Sequence, residues 1–371
     1  MENRESVAIG SRIKTARERM HWTQEQLAAA LGWKSFQIAS SVENGQRELK
    51  ARELAKIASV LNSSFESLLG VATTQPSILW RAKPKDDKAG EIESVFIRRC
   101  ERYAQLEKWC DIPPAMQLKP LSVKSDRESI NLVQREAENL RDAMKLGGKP
   151  GCTLKKTLEE DYGVKIFHEE LGKNGSALCA QVDFGFAVLL NASEPRWRRN
   201  YSLAHELFHL MTSPLWDSPR CEVLADAFAS ALLLPEESLM SSMRSRAKGK
   251  KVSLQDFVAI ACEFDVSIDA LCWRLVNLGK LKKELVLSQL SDGSKLREFD
   301  KYSRRNQQDE VKAGLPERYT RLSYMAYSKG KIGRSKLAEY LEMSLFDLVK
   351  ELNSNSETLA SAEAEIAVVG C

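Results

Sequence analysis

The sequence predicts a mainly α fold with a small β-sheet, an α+β chain built of several modules. Three observations carry this. Apolar residues recur at helical spacing along most of the chain, three short strand-like runs sit together between residues 164 and 191, and 371 residues at 43% hydrophobic supply apolar material for two or three cores.

Composition narrows the setting more than the function. A formal charge of +4 is small for this length and does not by itself predict binding to nucleic acid or an anionic membrane. The start, MENRESVAIGSR, mixes charges of both signs and does not read as a signal peptide, and no apolar run approaches a membrane span. Eight cysteines are scattered without a CxxC pair, which argues against a disulfide framework and a thiolate zinc knuckle. The expectation is a cytoplasmic protein with reduced thiols and no membrane partner. Cys221 stands out because it adjoins a proposed metal ligand.

Residues 1–71 read as a five-helix unit. Ile9 to Met20 is helical in spacing, and Thr23 opens a second helix with Gln26 three residues on, a capping box. Leu27, Ala28 and Leu31 form its inner face, Gly32 ends it, and a third helix runs from about Ser35 to Asn44 before Gly45. Two short helices, around Leu54 to Leu61 and Phe65 to Leu69, close the unit. A helix, a tight turn and a short polar-faced helix is the geometry that enters a DNA major groove. On that basis Lys34, Gln37, Ser40 and Ser41 are candidate base readers, and Lys34, Arg47, Lys50 and the start of the second helix at Thr23 and Gln24 are candidate phosphate holders. A plain helical bundle explains the spacing as well. The strings TQEQLAAALGW, ASSVENG and LAKIASVLNSSFESLL, however, resemble the helix-turn-helix of the XRE (lambda-repressor-like) family, with one residue more between Gly32 and Glu43 than its commonest form. The resemblance implies double-stranded operator DNA as a partner.

Residues 72–127, with prolines at 76, 84, 113, 114 and 120, read as a linker and a small helical insert near Glu91 to Trp109. A third module, 128–245, begins with a helix from about Ser129 to Met144, ended by the Gly147, Gly148, Pro150, Gly151 cluster. Strands are expected at Val164–His168, Ala177–Val182 and Phe186–Asn191, the last two joined as a hairpin around Asp183 to Gly185.

The chemistry lies next. Tyr201 to Met211, YSLAHELFHLM, has one apolar side and is expected to be helical. His205 and His209, four residues apart, then project from one face and can bind one ion. Glu206 is turned away from both, so that its carboxylate reaches a water at the metal and serves as general base. Zinc takes three protein ligands in a catalytic tetrahedron and leaves a fourth position open. CEVLADAFASALLL, stopped by Pro235, is a second helix on which Glu222 and Asp226 share a face. Glu222 is the expected third ligand, and Asp226 is placed to accept a proton from the far nitrogen of a ligating histidine. His21 and His168 read as ordinary surface or strand residues, with His168 a weak candidate to steady a tetrahedral intermediate.

WRRNYSLAHELFHLM followed by CEVLADAFASALLLPEE resembles the ImmA/IrrE family of metallo-endopeptidases, whose HExxH precedes an ExxAD and a small-residue helix ending in Leu-Pro. The likeness spans about Ile130 to Lys280. It implies a zincin-like core, cytosolic zinc, and cleavage of a transcriptional repressor in stress response or in mobile-element or toxin-antitoxin control. The motif residues, Glu206 included, are all present.

Two helical hairpins follow. VSLQDFVAIACEFDVSIDALCWRLVNLGKL, within a 246–285 extension, has Ser253 and Ser267 as caps; KIGRSKLAEYLEMSLFDLVKEL, within a 286–371 helical region, has Ser335 and Ser344. Such hairpins serve packing or dimer contacts more often than DNA reading, and a homodimer is compatible with them. Arg244, Arg246, Lys248, Lys250 and Lys251 form a basic run, and the acidic tail after Asn353 reads as disordered. Two functions fit these parts: a DNA-binding regulator that cleaves a repressor through a zinc endopeptidase site, or a transcription factor or antitoxin whose zincin module senses or merely folds around metal.

Overall fold

The computed structural model describes residues 2–20, 22–61, 63, 65–70, 77–80, 89–113, 115–123, 125–172, 177–182, 185–212, 218–247, 252–290, 298 and 313–353. Outside them lie His21, the hairpin tip at Asp183 and Phe184, the basic positions Lys248, Lys250 and Lys251, and the tail after Asn353. The described chain is helical apart from one four-stranded sheet and forms two compact units, Met1–Arg98 with Ala115–Gly314, and Arg99–Pro114 with Leu315–Cys371.

The first five helices are α1 (Glu2–Arg19), α2 (Gln24–Leu31), α3 (Phe36–Glu43), α4 (Ala51–Val60) and α5 (Phe65–Leu69). They enclose their own core of Ile13, Leu27, Ala39, Val42 and Ile57. The capping box closes both ways, with Gln26 N–H donating to Thr23 Oγ1 at 3.2 Å and Thr23 N–H to Gln26 Oε1 at 2.7 Å. Gly32 takes a left-handed φ of +71°, which ends α2 without strain. Gly10 lets α1 touch α3, since a Cβ there would stand 2.4 Å from the Val42 carbonyl oxygen. A buried ion pair ties three helices together. Arg17 donates from Nε and NH2 to the two oxygens of Glu43, at 2.6 and 3.0 Å, and Gln24 Nε2 donates to the same carboxylate at 2.8 Å.

The sheet runs β1-β3-β4-β2, from β1 (Ser77–Trp80), β2 (Lys165–Glu169), β3 (Ala177–Val182) and β4 (Gly185–Asn191). β3 is antiparallel to both neighbours, and β2 is parallel to β4. The expected strands sit within one residue of these bounds. β1 departs from expectation, because the segment was read as linker and its apolar run is too short to identify a strand without its partner.

The helices that follow are α6 (Ala89–Trp109), whose Phe96 meets Phe167 of β2, α7 (Ile130–Ala143), a 3₁₀ turn at Pro150–Cys152, α8 (Leu154–Glu160), α9 (Arg196–Met211) and α10 (Pro219–Leu233). α9 lies on β3 and β4, and α10 packs against α7 and α9. The close approach is built from small residues. Ala225, Ala227, Ala229, Ser230 and Ala231 of α10 are buried, as are Val133 and Ala137 of α7. Phe208 and Phe228 clamp α9 to α10 with ring centroids 5.5 Å apart. α11 (Glu236–Ala247), α12 (Leu254–Glu263), α13 (Ile268–Asn277) and α14 (Lys283–Gln289) continue the unit. Ser253 and Ser267 cap α12 and α13 as expected, accepting from Asp256 and Ala270 amides.

The second unit joins the later turns of α6 to α15 (Glu317–Ser328), α16 (Arg334–Tyr340) and a helix at 345–353. Tyr103 and Tyr319 meet edge to face at 5.3 Å, and Arg99 pairs with Glu342 at 2.6 Å. Ser344 caps the last helix, whereas the cap of α16 is Gly333 and Ser335 lies inside that helix. Among the described residues, no helix is long and apolar enough to cross a membrane.

Candidate metal centre

α9 carries His205, Glu206 and His209 near its C-terminal end, and all three are fully buried. α10 brings Glu222 and Asp226 alongside, each about half exposed. The facing atoms converge. His205 Nε2 lies 3.1 Å from His209 Nε2 and 3.1 Å from Glu222 Oε2, and His209 Nε2 lies 3.2 Å from Glu222 Oε1. The structure thus brings together the three residues read from sequence as ligands, with ligand atoms within 4.8 Å of one another.

Proton bookkeeping decides what such a cluster can hold. Asp226 Oδ1 is 2.9 Å from His205 Nδ1, and an ionised carboxylate only accepts, so that nitrogen carries the proton. Nε2 of a neutral His205 then presents a lone pair toward a second imidazole and a carboxylate, which is an arrangement of acceptors with too few protons to bridge them. A cation resolves it. A tetrahedral zinc with bonds of about 2.0–2.1 Å sets its ligand atoms roughly 3.3 Å apart, close to the separations here. The two-nitrogen, one-oxygen set suits zinc, and the residues present therefore fit the metal.

Electrostatics agree in direction. The imidazoles beside it, His205 first and then His209, hold the Glu222 carboxyl far below the usual carboxylate range, so it stands ionised toward a cation. Both oxygens of Glu206 are buried without a regular hydrogen-bond partner among the described residues. The neighbour that senses them is the buried thiol of Cys179 on β3, pushed well up by burial and then by the Glu206 charge. A second thiol supports the other histidine, with Cys221 Sγ 3.7 Å from His209 Nδ1. Burial, with Glu222 and Asp126 adding to it, pushes Cys221 up to about 12. Neither thiol's role is visible in the motif, because each contact crosses from one element to another.

His168 lies elsewhere. It sits on β2, separated from β3 by β4, and burial lowers it to about 3, with Lys155 and Arg199 adding to the effect. Nothing in its placement joins it to the metal cluster. Beside Asp226 a groove of about 420 Å³ opens, walled by Trp197, Tyr201, Val223 and Trp273.

Of the candidate DNA contacts, Lys34 and Gln37 are exposed at the start of α3, and Ser40 and Ser41 are half-buried on it. Thr23 is engaged in its cap and Gln24 with Glu43. Arg47 pairs with Glu53 at 2.5 Å and lies over the Trp33 ring.

Residues 13–68 match the family model described as helix-turn-helix, and residues 159–276 match the IrrE N-terminal-like domain, a peptidase family. The chain joins a helix-turn-helix domain to an IrrE N-terminal-like domain. The IrrE-like span holds all five residues of the cluster, together with α12 and α13. A solved structure of Bacillus thuringiensis PlcR, in complex with the peptide PapR7 and DNA, is 14% identical over 95% of this chain and 98% of the other, with a TM-score of 0.17. That value carries no structural weight. Among curated proteins, none matches the chain.

Proposed function

We propose that this chain is a DNA-binding regulator whose IrrE-like domain is a zinc-dependent endopeptidase acting on a regulatory protein, a repressor above all. The observation that carries the reading is the convergence of His205 Nε2, His209 Nε2 and Glu222 beside a buried carboxylate, Glu206, that no regular hydrogen bond satisfies.

His205, His209 and Glu222 would hold the metal, which supplies Lewis acidity toward a peptide carbonyl and toward water. Asp226 fixes the ring of His205 with its proton on Nδ1, and Cys221 meets the outer nitrogen of His209. Glu206 takes the proton from the attacking water and returns it to the leaving amine nitrogen. Its burial beside an apolar core excludes competing water. The aromatic walls of the neighbouring groove suit an apolar side chain of the bound peptide.

The helix-turn-helix domain directs the chain to operator DNA, with Lys34 just ahead of α3 and Gln37 on it as its exposed readers and with Ser40 and Ser41 behind them. Binding at an operator confines cleavage to proteins that gather there. Incubating the zinc-loaded chain with purified helix-turn-helix repressors, with and without operator DNA, tests this. Specific fragments are expected from the parent chain and none from Glu206→Gln.

A further inference from the structure

β3 is the strand beside the proposed base, since its Cys179 thiol lies against the Glu206 carboxylate and α9 packs on β3. One edge of β3 is covered by β4. The other is covered by β1, four residues that come from far outside the IrrE-like span. The pairing is antiparallel and in full register, Ser77 with Gln181, Ile78 with Ala180, Leu79 with Cys179 and Trp80 with Leu178. An extended peptide recruited to an open sheet edge makes this same ladder.

We propose that Ser77–Trp80 is a built-in occupant of the substrate edge, so that a peptide reaches β3 beside Glu206 only after β1 leaves. The proposal rests on the peptidase reading and specifies how that site is restrained. Leu79 stands opposite Cys179, whose thiol lies beside the base, and packs on the main core, so the strap crosses the edge at the level of the chemistry. Trp80 Nε1 donates to Glu93 Oε1 at 2.6 Å and pins the strap from the α6 side. The contact is nonetheless small. A four-residue edge strand is held by a few ladder bonds worth about 1 kcal/mol each, within reach of a longer competing peptide.

The test uses the full zinc-loaded chain and two variants. Ile78→Pro with Leu79→Pro cannot form the ladder. Ile78→Cys with Ala180→Cys, opposite each other on the sheet face away from Cys179, locks it when oxidised. The probes are a fluorescent peptide of residues 75–83 and labelled casein. The proline variant is expected to bind the peptide at least tenfold tighter than the parent and to cut casein at least tenfold faster. The locked variant should do neither until reduced. Equal peptide binding by parent, proline variant and locked variant overturns the proposal, as does casein cleavage by the locked chain at the parent rate. Cleavage of the parent within residues 77–80 also overturns it, by making the strap a substrate. If the peptide binds as expected but no form cuts casein, the strap stands and the peptidase reading fails. A proline variant that does not melt cooperatively is set aside, and the locked chain alone then decides the matter.

Discussion

Asp226 Oδ1 stands 2.9 Å from Nδ1 of His205, on the side of the ring opposite the atom that faces His209 and Glu222. This contact fixes which nitrogen is protonated and so leaves the inner one able to bind a cation. Removing the carboxylate lets the ring turn and lose basicity. Asp226→Ala is expected to weaken zinc binding by about 10–100-fold, the usual cost of losing such a partner. Asp226→Asn keeps an acceptor and should lose less. Competition titration against a chelator reads both, and unchanged affinity in Asp226→Ala would remove the assigned role.

The Arg17–Glu43 pair predicts the weak point of the helix-turn-helix domain. Glu43 is 1% exposed in its side chain and bonds to Arg17 and Gln24. Glu43→Ala strands a buried guanidinium and is expected to cost about 3–5 kcal/mol. Urea unfolding followed by a probe in this domain gives the number; a loss below about 1 kcal/mol, the level of a surface pair, would mean the pair contributes little.

DNA binding should respond differently to two neighbours, Lys34 just ahead of α3 and Gln37 within it. Lys34→Ala removes a phosphate contact and is expected to lower affinity on all sequences and to reduce the salt slope by about 1. Gln37→Ala is expected to relax preference at one base pair, by about 1–3 kcal/mol. Equal losses on operator and random DNA for both variants would displace Gln37 from base reading.

His168 gives a pH signature. Burial lowers its folded-state value to about 3, while the unfolded ring titrates near its ordinary 6.5. Between those values the unfolded chain binds a proton that the folded chain refuses. Stability from the neutral ring is therefore complete above about pH 6.5 and falls by about 1.4 kcal/mol per pH unit below it. The difference in unfolding free energy between parent and His168→Gln should shrink on going from pH 7.5 to 5. Parallel pH curves would show that the ring is not buried neutral.

How much of this could be read from sequence follows from the range of each interaction. His205, Glu206 and His209 obey the pitch of one helix, and Glu222 and Asp226 obey the pitch of a second, so spacing alone announces both faces. The Thr23, Ser253, Ser267 and Ser344 caps act over three residues and were equally legible. Arg17 and Glu43 are 26 residues apart, and Cys221 meets His209 across two helices, so no local pattern marks them. β1 is the clearest case. SILW becomes a strand because β3 offers an unpaired edge, and that edge is a property of the folded sheet. Residues 99–114 likewise pack with residues 315–353 rather than acting as a linker, through pairs such as Arg99 with Glu342.

Glu206 tests the central claim most directly, because it is the one member of the cluster assigned to move a proton rather than to hold metal. Glu206→Gln should bind zinc as the parent does, and hydrolysis of a repressor substrate at matched zinc occupancy should fall by about 10²–10⁴-fold. Cleavage by Glu206→Gln at the parent rate would contradict the account.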